Sequence, residues 1–355
     1  LLDFGLFILK KKRVLLVIDS LESGGAEQVF ADIVGLLFGH ISFDVLLIQP
    51  RRDEAYALPN GVNIINLNRI DKWSLKTFGI CRSIIKEYDL VHVHMRHTYR
   101  YIAVVRKSLI NGPKLILHDH YGLIDIDRYS AFRIAFLFKP DIYIGVSQLL
   151  SRWAKSTWRL KEENNYTLVN LPSQRFLKFV GNNGRSEKTG DLVMVANIKK
   201  SKNQIFAAEI AQKLERKLTF IGKRQDADYS NLLFNGQYST PVEIIEDISD
   251  VTTVLSKYKL GIFTSFYESG PLVVLEYLLC GIPFLAYKTG EVASIASRYF
   301  PEYFIDNFNL DEWCEKIRVI ELEYACISES LISEMIQKEF NTETYRSKLL
   351  SIYEL

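Results

Sequence analysis

Short apolar runs alternate along this chain with stretches of helical spacing, and the series runs twice. Val14-Leu-Leu-Val-Ile18 is continuously apolar, the pattern of a strand buried on both faces of a parallel sheet. A helical pattern follows over Ala26–Leu37, and strands are expected at Asp44–Ile48, Val62–Leu67, Leu90–His94, Lys114–His118, Ile142–Val146 and Tyr166–Leu168. Helical stretches near Leu75–Glu87, Ala103–Ile110 and Leu149–Trp158 lie between them. The segment from Gly181 to Gly190 is polar and glycine-rich, as a linker would be. After it the series restarts. Strands are expected at Leu192–Ala196, Leu218–Ile221, Val242–Ile245, Leu260–Phe263 and Phe284–Ala286. Helices are expected at Asn203–Leu214, Val251–Lys257, Leu272–Leu279 and Glu291–Ser297, and a helical tail after Leu310. Strands alternating with helices give a parallel sheet covered on both faces. The expected fold is therefore α/β, with two Rossmann-like domains whose parallel sheets face one another across a cleft. The divisions are 1–172, a linker over 173–190, and 191–341, with a helix at 342–355 packing back on the first domain.

The 355 residues suffice for two such domains, and 48% hydrophobic against 24% charged side chains excludes global disorder. With 44 basic and 42 acidic residues the net charge is +2, which gives no basis for nucleic-acid binding. Cys81, Cys280, Cys314 and Cys326 form no C-x-x-C pair and read as free thiols of a reducing compartment, so a cytoplasmic location is expected. No apolar run has the length of a membrane span. At the N-terminus an apolar stretch precedes the basic Lys10–Arg13, the reverse of a signal peptide, and reads as an edge segment leading into the first strand.

In doubly wound sheets ligands bind beyond the carboxyl ends of the strands, so the strand-to-helix junctions matter most. At the first, Gly24 and Gly25 precede a helix, where bare backbone amides and a helix N-terminus can seat a diphosphate. The spacing is not G-x-G-x-x-G, which argues against a dinucleotide site. Another junction is Phe263-Thr-Ser-Phe-Tyr-Glu-Ser-Gly-Pro-Leu272. Here Pro271 suits a first helical turn, and the Ser269 and Gly270 amides can hold phosphate. Glu268 lies in the turn. Glu276 falls about one and a half turns into the helix among Leu275, Leu278 and Leu279, where a carboxylate needs hydrogen-bond donors such as ribose hydroxyls.

This segment resembles the Glu-x7-Glu motif of the retaining GT-B glycosyltransferases, especially family four, and the resemblance runs over nearly the whole chain. Ile18–Glu27 resembles that family's glycine loop, Leu90-Val-His-Val-His94 its histidine-bearing strand, and Ile142–Ser147 its strand ending in serine. Val169-Asn-Leu-Pro172 with Phe176 resembles the crossing between its domains, and Leu218–Gly222 also fits. The resemblance implies that Glu268 contacts the donor sugar and Glu276 the ribose. It implies that Gly24 and Gly25 approach the diphosphate, and that Ser269, Gly270, Pro271 and Leu272 complete the donor seat. Lys202 matches the family's lysine, whereas Asn197 stands at its arginine position; Lys199 and Lys200 are candidate substitutes. It further implies one histidine near the sugar, for which His118 and His120 compete, and His120 is preferred. No metal and no cofactor are implied. The substrates would be a nucleotide-diphosphate sugar, UDP-sugar favoured, and a glycan or lipid-linked acceptor in surface-polysaccharide assembly.

Three other readings stay open, one of them a GT-B protein that isomerises or phosphorolyses sugars. His92, His94, His118 and His120, with Asp119, could ligate the metal of a hydrolase, because alternate strand residues share a face. The missing arginine is compatible with a catalytically silent binding protein. Asp125-Ile-Asp127 reads as a solvated loop rather than a metal-binding D-x-D. Tyr129–Lys139, mixing aromatic and basic residues, could touch a membrane peripherally at its inner face but reads better as a helix on its own sheet.

Overall fold

The computed structural model describes residues 12–354 apart from 23, 52–54, 125–137, 179–187, 237, 247, 249 and 250. Asp125, Asp127, most of Tyr129–Lys139, the start of the N-terminal segment and most of the polar linker therefore lie outside the described residues.

The first lobe runs β1 (Val14–Ile18), α1 (Gly25–Leu37), β2 (Phe43–Leu47), β3 (Asn63–Asn66), α2 (Leu75–Ile85), β4 (Leu90–His94), α3 (Arg96–Lys107), β5 (Lys114–Asp119), β6 (Ile142–Gly145), α4 (Gln148–Trp158) and β7 (Asn165–Thr167). Its seven strands are ordered β3-β2-β1-β4-β5-β6-β7, and every pairing is parallel. A short helix, α5 (Gln174–Leu177), carries the chain across. The second lobe runs β8 (Gly190–Val195), α6 (Gln204–Lys213), β9 (Leu218–Ile221), α7 (Ala227–Phe234), β10 (Val242–Ile245), α8 (Val251–Leu255), β11 (Tyr258–Phe263), α9 (Leu272–Leu279), β12 (Phe284–Tyr287), α10 (Glu291–Tyr299) and β13 (Phe304–Ile305). Six parallel strands are ordered β10-β9-β8-β11-β12-β13. Then follow α11 (Leu310–Glu323), α12 (Glu329–Glu339) and α13 (Thr342–Glu354).

The apolar runs end up where their composition requires. β1 is buried at all five positions, and each lobe's core forms from strand faces against its helices. In the second lobe the Trp313 indole is fully buried from α11 and donates to the carbonyl of Asn307. The last helix, α13, belongs to the first lobe's core: Tyr345, Leu349, Ile352 and Tyr353 pack with β1 and α1. Cys81, Cys280 and Cys314 are buried and Cys326 exposed, all as free thiols.

Four elements depart from the sequence expectation. α3 begins at Arg96 rather than near Ala103 and ends before Ile110, because the charge of Arg96 is buried on a partner of its own. β8 begins at Gly190, inside the stretch read as linker; a glycine is needed there because a side chain would run into the Tyr258 ring of β11. α7 and the two-residue β13 have too little apolar pattern to be expected.

Candidate active site

Each sheet reverses its winding once, between β1 and β4 in the first lobe and between β8 and β11 in the second. Such switch points open a crevice at the carboxyl ends of the strands. The loops after β1, β8 and β11 meet there and line a cleft of about 610 Å³ between the lobes. Gly24, Gly25, Lys202, Glu268, Gly270, Pro271, Leu272 and Glu276 all line it. Ser269 and His120 stand beside it. The Ser269 hydroxyl donates to the carbonyl of His120 at 2.9 Å, joining the two lobes, and Asn170 ties the crossing segment to the Gly270 carbonyl at 2.8 Å.

The second lobe supplies two carboxylates. α9 starts at Leu272 with Pro271 as its N-cap (φ −70°), one residue earlier than a first-turn proline. Glu268, in the preceding turn, forms an ion pair with Lys202. The lysine comes from a short 3-10 turn, Lys200–Lys202, whose end is fixed when Thr264 donates to the carbonyls of Lys202 and Asn203. Glu276 opens into the cleft from an otherwise apolar helix. Burial raises its pKa to about 7, the nearby Arg175 opposing and Asp32 adding to the shift.

Basic groups face these acids. Lys199 lines the cleft, its pKa lowered first by burial and then by Lys202. Lys200 does not line it. Arg175, on α5, also lines the cleft, donates to the Gln28 side chain at 3.2 Å and lies 5.8 Å from the Tyr56 ring centroid. Arg175 and Tyr56 carry no local motif, so nothing in the sequence singled them out. Asn197 is a loop staple: its Oδ1 accepts the Lys223 amide at 2.9 Å and its carbonyl accepts from Gln204. At the first junction the Glu27 carboxylate reaches back toward Gly24 at the start of α1, and burial raises its pKa.

The histidines form a stack on one face of the first sheet. His92 and His94 alternate along β4, and His94 lies in register with His118 of β5. His92 Nε2 meets His118 Nδ1 at 3.2 Å, His94 Nδ1 meets His120 Nε2 at 3.1 Å, and His92 Nδ1 meets the Tyr353 hydroxyl at 2.6 Å. Burial lowers the pKa of His92 to about 3 and of His120 to about 4, and holds His94 and His118 well below the ordinary value, so all four are neutral. The ligand atoms of His92, His94 and His118 lie within 4.8 Å of one another, yet all three side chains are wholly buried. A hydrolytic metal needs an open position that water can reach. This site has none, and the geometry does not suit a metallohydrolase. His118 lies inside the stack, whereas His120 is its half-buried end beside the cleft.

Asp119, between them, fixes that end. It is fully buried and accepts from Arg96 through Nε and Nη2, from the Tyr143 hydroxyl at 2.7 Å and from the Tyr121 amide at 3.1 Å. At the switch point Met95 holds φ +69°, a backbone state costly for a residue with a side chain.

Two parallel-sheet lobes facing a cleft of this composition are the GT-B glycosyltransferase fold. Residues 177–334 match the family model of the glycosyl transferases group 1. A search of curated proteins finds no match. Among solved structures, Anabaena HepE in complex with UDP and glucose aligns over 97% of this chain and 99% of its own at 16% identity and a TM-score of 0.75. A TarM variant from S. aureus, bound to fondaparinux, alpha-GlcNAc-glycerol and UDP, aligns over 97% and 100% at 11% identity and a TM-score of 0.76. Sucrose-phosphate synthase from Thermosynechococcus elongatus aligns over 97% and 98% at 15% identity and a TM-score of 0.71. Among the described residues no helix is long and apolar enough to cross a membrane.

Proposed function

We propose that this chain is a retaining hexosyltransferase that takes a sugar from a nucleotide-diphosphate donor, preferentially a UDP-sugar, to a glycan or lipid-linked acceptor. The reading rests on one observation: two carboxylates, Glu268 and Glu276, line the same interlobe cleft as the glycine loop, Lys199 and Lys202. Glu276 would accept the ribose hydroxyls, which supply the donors its buried position lacks. Glu268 would accept from the donor sugar, and on binding Lys202 would be shared between Glu268 and the diphosphate. The Ser269 and Gly270 amides at the start of α9, with Gly24 and Gly25 at α1, would seat the phosphates.

As the glycosidic bond to the diphosphate breaks, negative charge grows on the leaving oxygen. Lys199, Lys202 and the start of α9 would stabilise it. Arg175 would offset the charge of Glu276 and Asp32. The lysines would supply the positive charge without a metal or a cofactor. His120, neutral, would hydrogen-bond the sugar rather than act as a strong base. HepE with UDP and glucose, and TarM with UDP and alpha-GlcNAc-glycerol, support a uridine nucleotide and a glycan acceptor. A role in surface-polysaccharide assembly on the cytoplasmic side belongs to the same reading.

The test is a thermal-unfolding screen with UDP-glucose, UDP-N-acetylglucosamine and other nucleotide sugars. A ligand at a hundred times its Kd stabilises the fold by about 2.7 kcal/mol, a rise of several degrees. The wild-type chain should show that rise with at least one donor, and Glu276→Ala should lose it. No response to any nucleotide sugar, or an undiminished response in Glu276→Ala, refutes the assignment.

A further inference from the structure

Away from the cleft, the loop between β3 and α2 and the first turn of α2 present large apolar side chains to water. Ile70, Trp73 and Leu75 are 88%, 87% and 85% exposed, and Ile80 on the first turns of α2 is 43% exposed. Scattered exposed apolar residues need no explanation, but three nearly bare ones within six positions do. They are held in place. The Asp71 carboxylate accepts the Trp73 amide at 2.9 Å, and Arg69 donates to the Lys72 carbonyl at 2.8 Å while its guanidinium lies 3.9 Å from the Tyr101 ring centroid. Ser74 caps α2 by accepting the Thr77 amide. The loop therefore presents a fixed set of apolar prongs.

The charges around them are mainly basic. Between positions 69 and 87 there are five basic residues, Arg69, Lys72, Lys76, Arg82 and Lys86, and two acids, Asp71 and Glu87. That is an excess of three positive charges in a chain whose total is only +2. On the adjoining α3 the exposed charges are again basic, Arg100 and Lys107. Protein interfaces are depleted of lysine at their apolar centres. Here lysines alternate with the apolar prongs, so that tryptophan and leucine can enter a headgroup layer while the ammonium groups stay among anionic phosphates.

We propose that the loop Arg69–Lys76, with the outer face of α2, docks the protein on the surface of an anionic lipid bilayer. The loop leaves β3 at its carboxyl end, and because the sheet is parallel this is the end that carries the cleft. Docking would hold the first lobe's side of the cleft mouth near the membrane. The inference rests on exposure and charge and stands whether or not the proposed transfer activity is found.

Cosedimentation of the full chain with phosphatidylcholine vesicles, with and without phosphatidylglycerol, tests it. Binding should require phosphatidylglycerol and weaken as salt is raised. Trp73→Ser with Leu75→Ser, and separately Lys72→Glu with Lys76→Glu, should each weaken binding about tenfold or more. Both pairs should leave the melting temperature unchanged, because all four side chains are exposed. A chain that stays in the supernatant with phosphatidylglycerol vesicles overturns the proposal. So does undiminished binding by both variants, or concentration-dependent self-association of the wild type that Trp73→Ser abolishes.

Discussion

Lowering the pH from 7.5 to 5.5 should destabilise this protein through its histidine stack. His92, His94, His118 and His120 stay neutral when folded because burial depresses their pKa values, to about 3 for His92, to about 4 for His120 and well below the ordinary value for His94 and His118. In the unfolded chain they titrate near 6.5. Below that pH the unfolded state takes up protons that the folded state refuses, and stability falls until the folded values are reached. Over this interval each histidine contributes a loss of about 1.4 kcal/mol, so the four together contribute about 5 kcal/mol. Two carboxyls act in the opposite direction. Glu276 and Asp32 have folded pKa values raised to about 7 and about 6, so they gain protons on folding and stabilise the acid form. Their combined offset is at most about 3 kcal/mol, since Glu276 keeps some contact with solvent; Glu27, also raised, acts in the same direction. A net loss of about 2–3 kcal/mol is expected, read from urea unfolding followed by tryptophan fluorescence at the two pH values. In Glu276→Gln one offset disappears and the loss should grow to about 4 kcal/mol. Unchanged or increased stability of the wild type at pH 5.5 would refute the picture of a neutral buried stack.

Donor binding should show the opposite sign of proton linkage to the carboxyl effect on folding. Hydroxyl donors favour the carboxylate of Glu276, so calorimetry should find a UDP-sugar bound about tenfold more tightly at pH 8 than at pH 6, and a flat profile in Glu276→Gln would support the assignment. Gly222→Ala places a Cβ 2.4 Å from the Ala196 carbonyl oxygen at a φ of +151°; a loss of about 2–4 kcal/mol is expected, and an unchanged melting temperature would contradict it. Arg96→Ala strands the Asp119 carboxylate in the core and should cost about 3–5 kcal/mol, with Arg96→Lys restoring little because it lacks the two-pronged contact. If Arg96→Lys unfolds at the wild-type urea concentration, that geometry is unimportant.

The elements legible in the sequence were those whose pattern is local. β4, β9, β10 and α9 have the bounds their apolar runs imply, and in β4 and β9 every consecutive side chain is buried. The start of α3 was hidden because Arg96 reads as a surface residue until Asp119, 23 positions away, is seen to neutralise it. Glu268 and Glu276 could be singled out because they share one strand-turn-helix segment. Arg175 and Tyr56 could not, because the crevice gathers them from separate elements. Asn197 at a position expected to be basic is explained only by the Lys223 amide it holds, a partner 26 residues on.

The return of α13 to the first lobe means that the lobes do not correspond to two lengths of chain. Cutting after residue 341 would remove Leu349 and Ile352 from the β1 face and leave His92 without its phenol. An isolated first lobe would keep its shape only if the last helix were supplied in trans or fused to it. During synthesis this lobe must likewise wait, its core unsealed, until α13 has left the ribosome.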